Sequence, residues 1–158
     1  MTNALLINTS TDMLSVAYGS SAENVVHNSM KQHSQQSENI LTAIDNVIKQ
    51  QNSTIKDVDV IGVGIGPGMF TGVRVGVTCA HSLAHALDAK LVYLSSLEIA
   101  ALSSLGEKEG RTSSVGKDAR RSELYCAQYN IGSEVHRCVV DGVAFASIST
   151  RDSPSPII

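Results

Sequence analysis

The chain has 158 residues, of which 42% are hydrophobic and 17% are charged. This balance argues against a disordered chain, and the length suits one domain or a two-lobed fold with a small second lobe. A net charge of −3, four Tyr, two Phe and no Trp argue against nucleic-acid binding through overall charge or through an aromatic stacking surface.

Three short strands open the chain. Residues 4–7, 14–18 and 24–30 are apolar or alternating runs separated by polar turns of hairpin length, so neighbouring strands are expected to be antiparallel. Apolar residues then recur at three- and four-residue steps, which predicts an amphipathic helix over 34–51. The continuous apolar run 58–63 is typical of a strand buried on both faces.

The second half continues this alternation after a glycine-rich turn. The predicted elements are a helix over 70–87, a strand over 91–94, a helix over 97–105 capped by Ser95 and Ser96, and strands over 123–129 and 136–145. The charged, Ser- and Gly-rich segment 106–117 is interpreted as the boundary between two lobes. The order of elements predicts an α/β fold, a ribonuclease H-like lobe of the actin-like ATPase superfamily over 4–106, with a reduced or truncated second lobe over 107–158.

Cysteine usage and hydropathy bear on the compartment. Cys79, Cys126 and Cys138 are odd in number and form no CxxC pair, which predicts thiols in a reducing environment. No apolar stretch approaches the roughly 18 residues of a membrane span, and no basic segment precedes an apolar run at the N-terminus. We therefore expect a cytoplasmic protein without membrane contact.

The glycine-rich turn Gly64-Ile-Gly-Pro-Gly-Met-Phe-Thr-Gly72 lies between a buried strand and a helix. Backbone N–H groups in such a turn can surround an anion at a helix start, but the sequence has neither a Walker lysine nor a dinucleotide fingerprint. A tight turn that needs glycine for its geometry explains the motif equally. If the phosphate interpretation holds, the residues of a vestigial phosphate loop are Asn8, Thr9, Ser10, Gly66, Gly68, Thr71 and Gly72.

The second predicted helix carries a row of small residues, Gly72, Gly76, Ala80 and Ala84, at steps of four. Glycine inside a helix costs about 1 kcal/mol relative to Ala, so close approach of another helix is the expected compensation. That helix belongs either to the same chain or to another subunit, and we predict the latter. The predicted self- and partner-association interface comprises that row with Val73 and Val77, which also extend an apolar row toward the core, and Asn39 and Ala43 from the first helix.

Two clusters of histidine or basic residues have a simpler explanation than a binding site. His81 and His85 have the i, i+4 spacing of zinc helices, but no HExxH motif is present, so no metal site is predicted. The basic residues of 108–121 are read as a solvated loop, with an RNA-facing patch as the alternative. Those residues are Lys108, Arg111, Lys117, Arg120 and Arg121.

Five segments carry a resemblance to a known family. In chain order they are 7–11, 33–35, the Gly-Pro-Gly-Met-Phe-Thr-Gly turn and helix start 66–76, 95–98 and 118–121. Over residues 4–130 they resemble the TsaB family, the dimerisation subunits of bacterial tRNA threonylcarbamoyladenosine synthesis.

The resemblance implies a non-catalytic subunit with an actin-like ATPase fold. Its implied partner is a TsaD-like catalytic threonylcarbamoyltransferase, which modifies adenosine 37 of tRNA together with a TsaE-like ATPase. The implied subunit forms a homodimer in the absence of this partner and contacts tRNA only through the complex. It has no cofactor of its own, since ATP and metal are expected on the catalytic partner.

Departures from the family pattern bear on catalysis. Asn8 replaces the usual Asp, Met69 the usual Ser and His81 a common Lys, and a neutral amide is a poor organiser of a metal-bound nucleotide. Alignment with the catalytic paralogue through strand 91–94 places Ser96 and Ala100 where that paralogue has two metal-binding histidines. We therefore expect no catalytic residues and no metal ligands.

Two functional hypotheses follow. In the first, the chain is a binding and scaffold subunit whose partner performs the chemistry. In the second, it is an actin-like ATPase or phosphotransferase acting on its own through Thr9, Ser10 and the turn 66–72. The small-residue row and the missing catalytic groups favour the scaffold, and no Ser-His-Asp order supports a peptidase.

Overall fold

The computed structural model describes residues 1–31, 36–105, 112–120, 123–131 and 136–145. The chain divides into two compact units, Met1–Leu94 and Ser95–Ile158. The first contains β1 (Ala4–Asn8), β2 (Met13–Gly19), β3 (Val25–Lys31), α1 (Gln36–Gln50), a 3-10 turn (Ile55–Asp57), β4 (Val60–Gly64), α2 (Phe70–Leu87) and β5 (Lys90–Leu94). The second contains α3 (Ser96–Leu105), β6 (Thr112–Arg120), β7 (Glu123–Ile131) and β8 (His136–Phe145).

The first unit is built on a five-stranded sheet with the order β3-β2-β1-β4-β5. The pairs β1–β2 and β2–β3 are antiparallel, and the pairs β1–β4 and β4–β5 are parallel. The hairpin turn after β1 is closed by Thr11, whose hydroxyl accepts a hydrogen bond from the Met13 N–H at 3.1 Å. This topology confirms the predicted ribonuclease H-like lobe.

The core of the first unit lies between the sheet and the two helices. Alternate residues of β1 and β2 point into it, and Leu5 and Leu14 are fully buried. Helix α1 packs on β2 and β3, and α2 packs on β1, β4 and β5. Because each helix returns the chain to the start of a strand parallel to β1, the two helices run parallel to each other and opposite to β1.

The second unit contains a three-stranded antiparallel sheet with the order β6-β7-β8. Leu97 and Ala101 of α3 are buried with Ala127 and Tyr129 of β7. The cap predicted for α3 is confirmed, because the Ser95 hydroxyl accepts a hydrogen bond from the Leu97 N–H at 3.2 Å.

The unit boundary differs from the sequence-based one. Helix α3 groups with the second sheet, so the division falls at Leu94/Ser95 rather than after residue 106. Strand β6 was not predicted, because its Ser-, Gly- and Lys-containing sequence lacks apolar alternation and its order comes from pairing with β7. Lys117 belongs to this strand rather than to a solvated loop, and burial lowers the pKa of its ammonium group.

Several sequence-based assignments lie outside the described residues. They are segment 33–35, the basic residues Lys108, Arg111 and Arg121, the side chains of Arg120 and Cys138, and the last residues of the chain. Cys79 and Cys126 are free thiols and half-buried, and burial raises the pKa of Cys79. No helix within the described ranges has both the length and the apolar character to cross a bilayer.

The small-residue row of α2 faces the interior of its own unit. Gly72, Gly76, Ala80 and Ala84 are all buried, and Ala80 is completely inaccessible to solvent. Residues of the same unit cover this row, with the Thr9 side chain against Gly76, so the row offers no exposed surface to a second subunit. Ala43 of α1 is also a core residue, with 1% exposure.

We expect Ala80→Arg to destabilise the folded chain rather than only to dissociate subunits. A charged side chain has no space and no partner at this position, so the free energy of unfolding should fall by about 3 kcal/mol or more. Urea unfolding followed by circular dichroism measures this loss. Ala100→Arg makes the same change at an exposed helical position and should stay near wild type; equal stability of the two variants would contradict the assignment.

Candidate functional site

Two loops meet at the carboxyl edge of the first sheet, where β1 and β4 lie side by side. The turn after β1 contains Thr9 and Ser10, and the glycine-rich turn after β4 leads into α2. The Met69 N–H donates to the Ser10 carbonyl at 2.9 Å. The Thr9 hydroxyl donates to the Gly72 carbonyl at 2.6 Å in a buried hydrogen bond. The structure thus brings together the residues of the predicted phosphate loop.

Two glycines allow the turn after β1 to approach α2 this closely. A Cβ at Gly68 would lie 2.1 Å from the Ser10 carbonyl oxygen, and one at Gly76 would lie 2.3 Å from Thr9 Oγ1. Neither distance is compatible with a side chain. Close backbone approach therefore explains these glycines without a ligand, and Gly66 adds a positive φ of 96°.

The side chain of Asn8 forms a hydrogen bond within the same edge of the sheet. Its Oδ1 accepts a hydrogen bond from the Ser10 N–H at 3.1 Å. The same oxygen would lie 2.6 Å from a Cβ at Gly64 on the neighbouring strand. The Asn8 amide is therefore packed against β4.

The chemistry of this edge does not fit a metal-bound nucleotide. Divalent cations such as Mg²⁺ bind through carboxylates and phosphate oxygens, and position 8 offers a neutral amide. The hydroxyl of Thr9 and the carbonyl of Ser10 are bonded within the chain. Among the described residues, no group of three or more His, Cys, Asp or Glu side chains is placed to hold a metal ion.

His81 and His85 are both exposed on α2. His81 Nε2 lies 2.6 Å from the Tyr93 hydroxyl of β5, and the two rings are tilted with centroids 5.7 Å apart. His81 is therefore engaged in a contact between α2 and the edge strand of the sheet.

The outward side of α2 carries an exposed aromatic residue next to an arginine. Phe70 is 68% exposed, and the Arg74 guanidinium lies 3.8 Å above its ring centroid, which is a cation–π contact. Further along the helix Thr78, Ser82 and Ala86 are exposed. These five residues follow the i, i+4 spacing of a single helix face, opposite the small-residue row.

An apolar groove of about 350 Å³ lies along α1 and the segment after it, and it reaches α2 at Leu83. Its rim carries the ion pair between Lys49 and Asp45, with Nζ 2.6 Å from Oδ2. Leu41, which also lines it, is 60% exposed. The other apolar side chains that line it are Ile44, Ile48, Ile55 and Leu83.

The sequence is similar to a family model and to proteins of known name. Residues 22–150 match the family model described as TsaD, tRNA N6-adenosine threonylcarbamoyltransferase. The chain is 32% identical over 124 residues to the tRNA threonylcarbamoyladenosine biosynthesis protein TsaB of Haemophilus influenzae, covering 78% of this chain and 52% of that protein. It is 30% identical over 128 residues to TsaB of Escherichia coli K12, covering 79% of this chain and 54% of that protein.

The fold has a solved counterpart in YeaZ from Pseudomonas aeruginosa. The TM-score is 0.82 at 26% identity, over 90% of this chain and 67% of that structure. The chain spans about half the length of the two curated relatives, the TsaB proteins of Haemophilus influenzae and Escherichia coli.

We expect Gly76→Ala to destabilise the protein, although Ala is the better helix former by about 1 kcal/mol. The added Cβ would collide with Thr9 Oγ1, and the net loss should be about 1–3 kcal/mol. Thermal and urea unfolding of Gly76→Ala, Thr9→Ala and the double variant measure the coupling.

Thr9→Ala removes the hydroxyl with which the new Cβ collides. The double variant should therefore lose less unfolding free energy than the sum of the losses in the two single variants. A Gly76→Ala protein more stable than wild type would show that this position tolerates a side chain.

Proposed function

Because the chain belongs to the TsaB proteins within the TsaD-like family, we propose that it is a non-catalytic dimerisation and scaffold subunit of tRNA threonylcarbamoyladenosine biosynthesis. Its partner is a TsaD-like threonylcarbamoyltransferase, which carries out the N6-threonylcarbamoylation of adenosine 37. A TsaE-like ATPase completes the assembly. The subunit contacts tRNA only through this complex, and ATP and metal belong to the catalytic partner.

The engaged polar groups at the carboxyl edge of the sheet carry this proposal. The Asn8 amide, the Thr9 hydroxyl and the Ser10 carbonyl bond to neighbouring backbone. Catalysis of phosphoryl or carbamoyl transfer needs acceptors and donors aimed at a substrate. At this edge the polar groups hold the fold together instead of facing a substrate. This favours the role of a scaffold subunit over that of a catalyst.

The outward side of α1 and α2 is the contact surface that we propose. It replaces the buried row of α2 with the exposed row that begins at Phe70. The half-buried Asn39, Val73 and Val77 remain part of the proposed surface at its margin. In the absence of the catalytic subunit, the same surface pairs with a second copy of the chain.

Capture of the catalytic subunit tests the proposal. The tagged chain should retain a purified TsaD-like subunit on an affinity resin, and threonylcarbamoylation of tRNA by that subunit and a TsaE-like ATPase should require the chain. Arg74→Asp, an exposed change on the proposed surface, should weaken capture. The control Lys31→Asp, on the edge strand β3, should not. Absence of capture by the wild-type chain would contradict the scaffold role.

We further expect that the isolated chain neither hydrolyses ATP nor transfers a threonylcarbamoyl group. The neutral Asn8 amide does not provide the carboxylate that a metal-bound nucleotide needs. Phosphate release and tRNA nucleoside analysis with the purified chain measure both reactions. Turnover that Thr9→Ala abolishes in a still folded protein would favour the independent ATPase hypothesis instead.

A further inference from the structure

We propose that His81 and His85 bind one divalent transition-metal ion, and that Tyr93 orients the His81 ring for it. The ion belongs to the class that imidazole nitrogen favours, which includes Zn²⁺, Ni²⁺ and Cu²⁺. The site lies in the C-terminal half of α2. It does not depend on the proposed function, in which the nucleotide-bound metal belongs to the catalytic partner.

The two histidines lie one turn apart on the same face of a helix. Helix α2 runs from Phe70 to Leu87, and His81 and His85 have the i, i+4 spacing within it. Side chains at this spacing are neighbours, with Cβ atoms roughly 5–6 Å apart, so both rings can reach a single ion. Both histidines are exposed. An ion therefore reaches them from solvent without displacing any buried group.

From the sequence no metal site is predicted, because the HExxH motif is absent. The glutamate of that motif is the general base of a metalloprotease, whereas its two histidines hold the metal. The missing glutamate therefore excludes the hydrolytic chemistry and leaves chelation by the histidine pair intact. What the structure adds is a residue from another element that contacts one of the two rings.

That residue is Tyr93, on the edge strand β5. Its hydroxyl lies 2.6 Å from His81 Nε2, and the two ring centroids are 5.7 Å apart. A metal-binding histidine commonly donates its other ring N–H to a fixed oxygen, which sets the tautomer and the orientation of the ring. With the proton on Nε2 donated to the Tyr93 oxygen, Nδ1 of His81 carries the free lone pair. The sheet thus prepares one ligand of the pair.

The charges around this end of α2 favour a cation. His85 lies in the last turn of the helix, where the aligned peptide dipoles place partial negative charge. Asp88 and Lys90 follow the helix, and both are exposed and of opposite sign. Arg74 lies seven residues before His81, which is roughly 10 Å along the helix axis. At that distance salt screens much of its repulsion.

The histidine pair fills only part of the coordination shell of the ion. Among the residues that the structure describes, no third His, Cys, Asp or Glu side chain is placed to join the two rings. Water therefore takes the other positions, and the ion is held less tightly than in a closed site with four protein ligands. Because the two ligands come from consecutive turns, the bound ion stabilises the end of α2.

Isothermal titration calorimetry with Ni²⁺ alone tests the ligands in the full chain. The wild-type chain should bind one ion at this site. His81→Ala and His85→Ala should each raise the dissociation constant by about tenfold or more, since loss of an orienting partner alone typically costs that much. His27→Ala removes an exposed histidine from β3 and should leave the constant unchanged. Unchanged affinity in His85→Ala overturns the proposal.

A second variant separates the spacing from the number of histidines. His85→Ala combined with Ala86→His keeps all five histidines of the chain but changes their spacing on α2 to i, i+5. Position 86 is exposed, so the fold should be retained, which circular dichroism checks. Residues five apart do not share a helix face, and this variant should bind as weakly as His85→Ala. Wild-type affinity would show an adventitious ion only.

Tyr93→Phe tests the orienting role. It keeps the ring and removes the hydroxyl that holds His81 Nε2, so the Ni²⁺ dissociation constant should rise about tenfold. Wild-type affinity in Tyr93→Phe would overturn the assigned role of Tyr93.

Paramagnetic broadening locates the ion. In ¹H–¹⁵N spectra of the wild-type chain, substoichiometric Cu²⁺ should first broaden the backbone amide signals of the last two turns of α2. The double variant with the i, i+5 spacing should lose this selectivity. Broadening of the wild-type spectrum that begins elsewhere in the chain would overturn the site.

Discussion

The first unit depends on the close approach between the turn after β1 and the first turns of α2. The Thr9 hydroxyl reaches the Gly72 carbonyl, and the Ser10 carbonyl receives the Met69 N–H. Both bonds require positions 68 and 76 to lack a side chain. This contact seats α2 on the parallel strands, and it therefore determines which side of the helix enters the core and which side meets solvent. In doing so it uses the Thr9 hydroxyl and the Ser10 carbonyl as structural hydrogen-bonding groups.

Most elements of the fold could be predicted from the sequence because hydrophobic periodicity reports burial directly. Residues of β2 alternate, those of α1 recur at helical spacing and those of β4 are continuously apolar, and each pattern has one physical explanation. Strand β6 could not be predicted, because it is ordered by pairing with β7 rather than by a pattern in its own side chains. That α3 belongs to the second unit could not be predicted for a related reason. Residues such as Leu97 and Ala101 show that one face of the helix is buried, but not which sheet covers it.

The small-residue row of α2 also shows what the sequence alone could not predict. The sequence shows that α2 carries a row of small residues, and small residues do permit close approach. Whether the approaching backbone belongs to the same chain or to another is a tertiary fact. Thr9, which lies far away along the sequence, decides it by occupying the space beside Gly76. The exposure of Phe70 could not be predicted, because a single aromatic residue at a helix start carries no periodic signal of which side it faces.

The C-terminal end of α2 has a further consequence for binding. Asp88 adopts a left-handed conformation with φ 54°, and the Asp88 and Ala89 N–H groups both bond to the Ala84 carbonyl. The chain enters β5 at the next residue, Lys90. Hydrogen bonds thus fix the helix at its first turn to the loop after β1 and define its end just before the chain enters β5. An outward face held in this way is preorganised. A partner that docks on it loses little free energy to ordering the backbone, and a small set of contacts can then suffice for a stable complex.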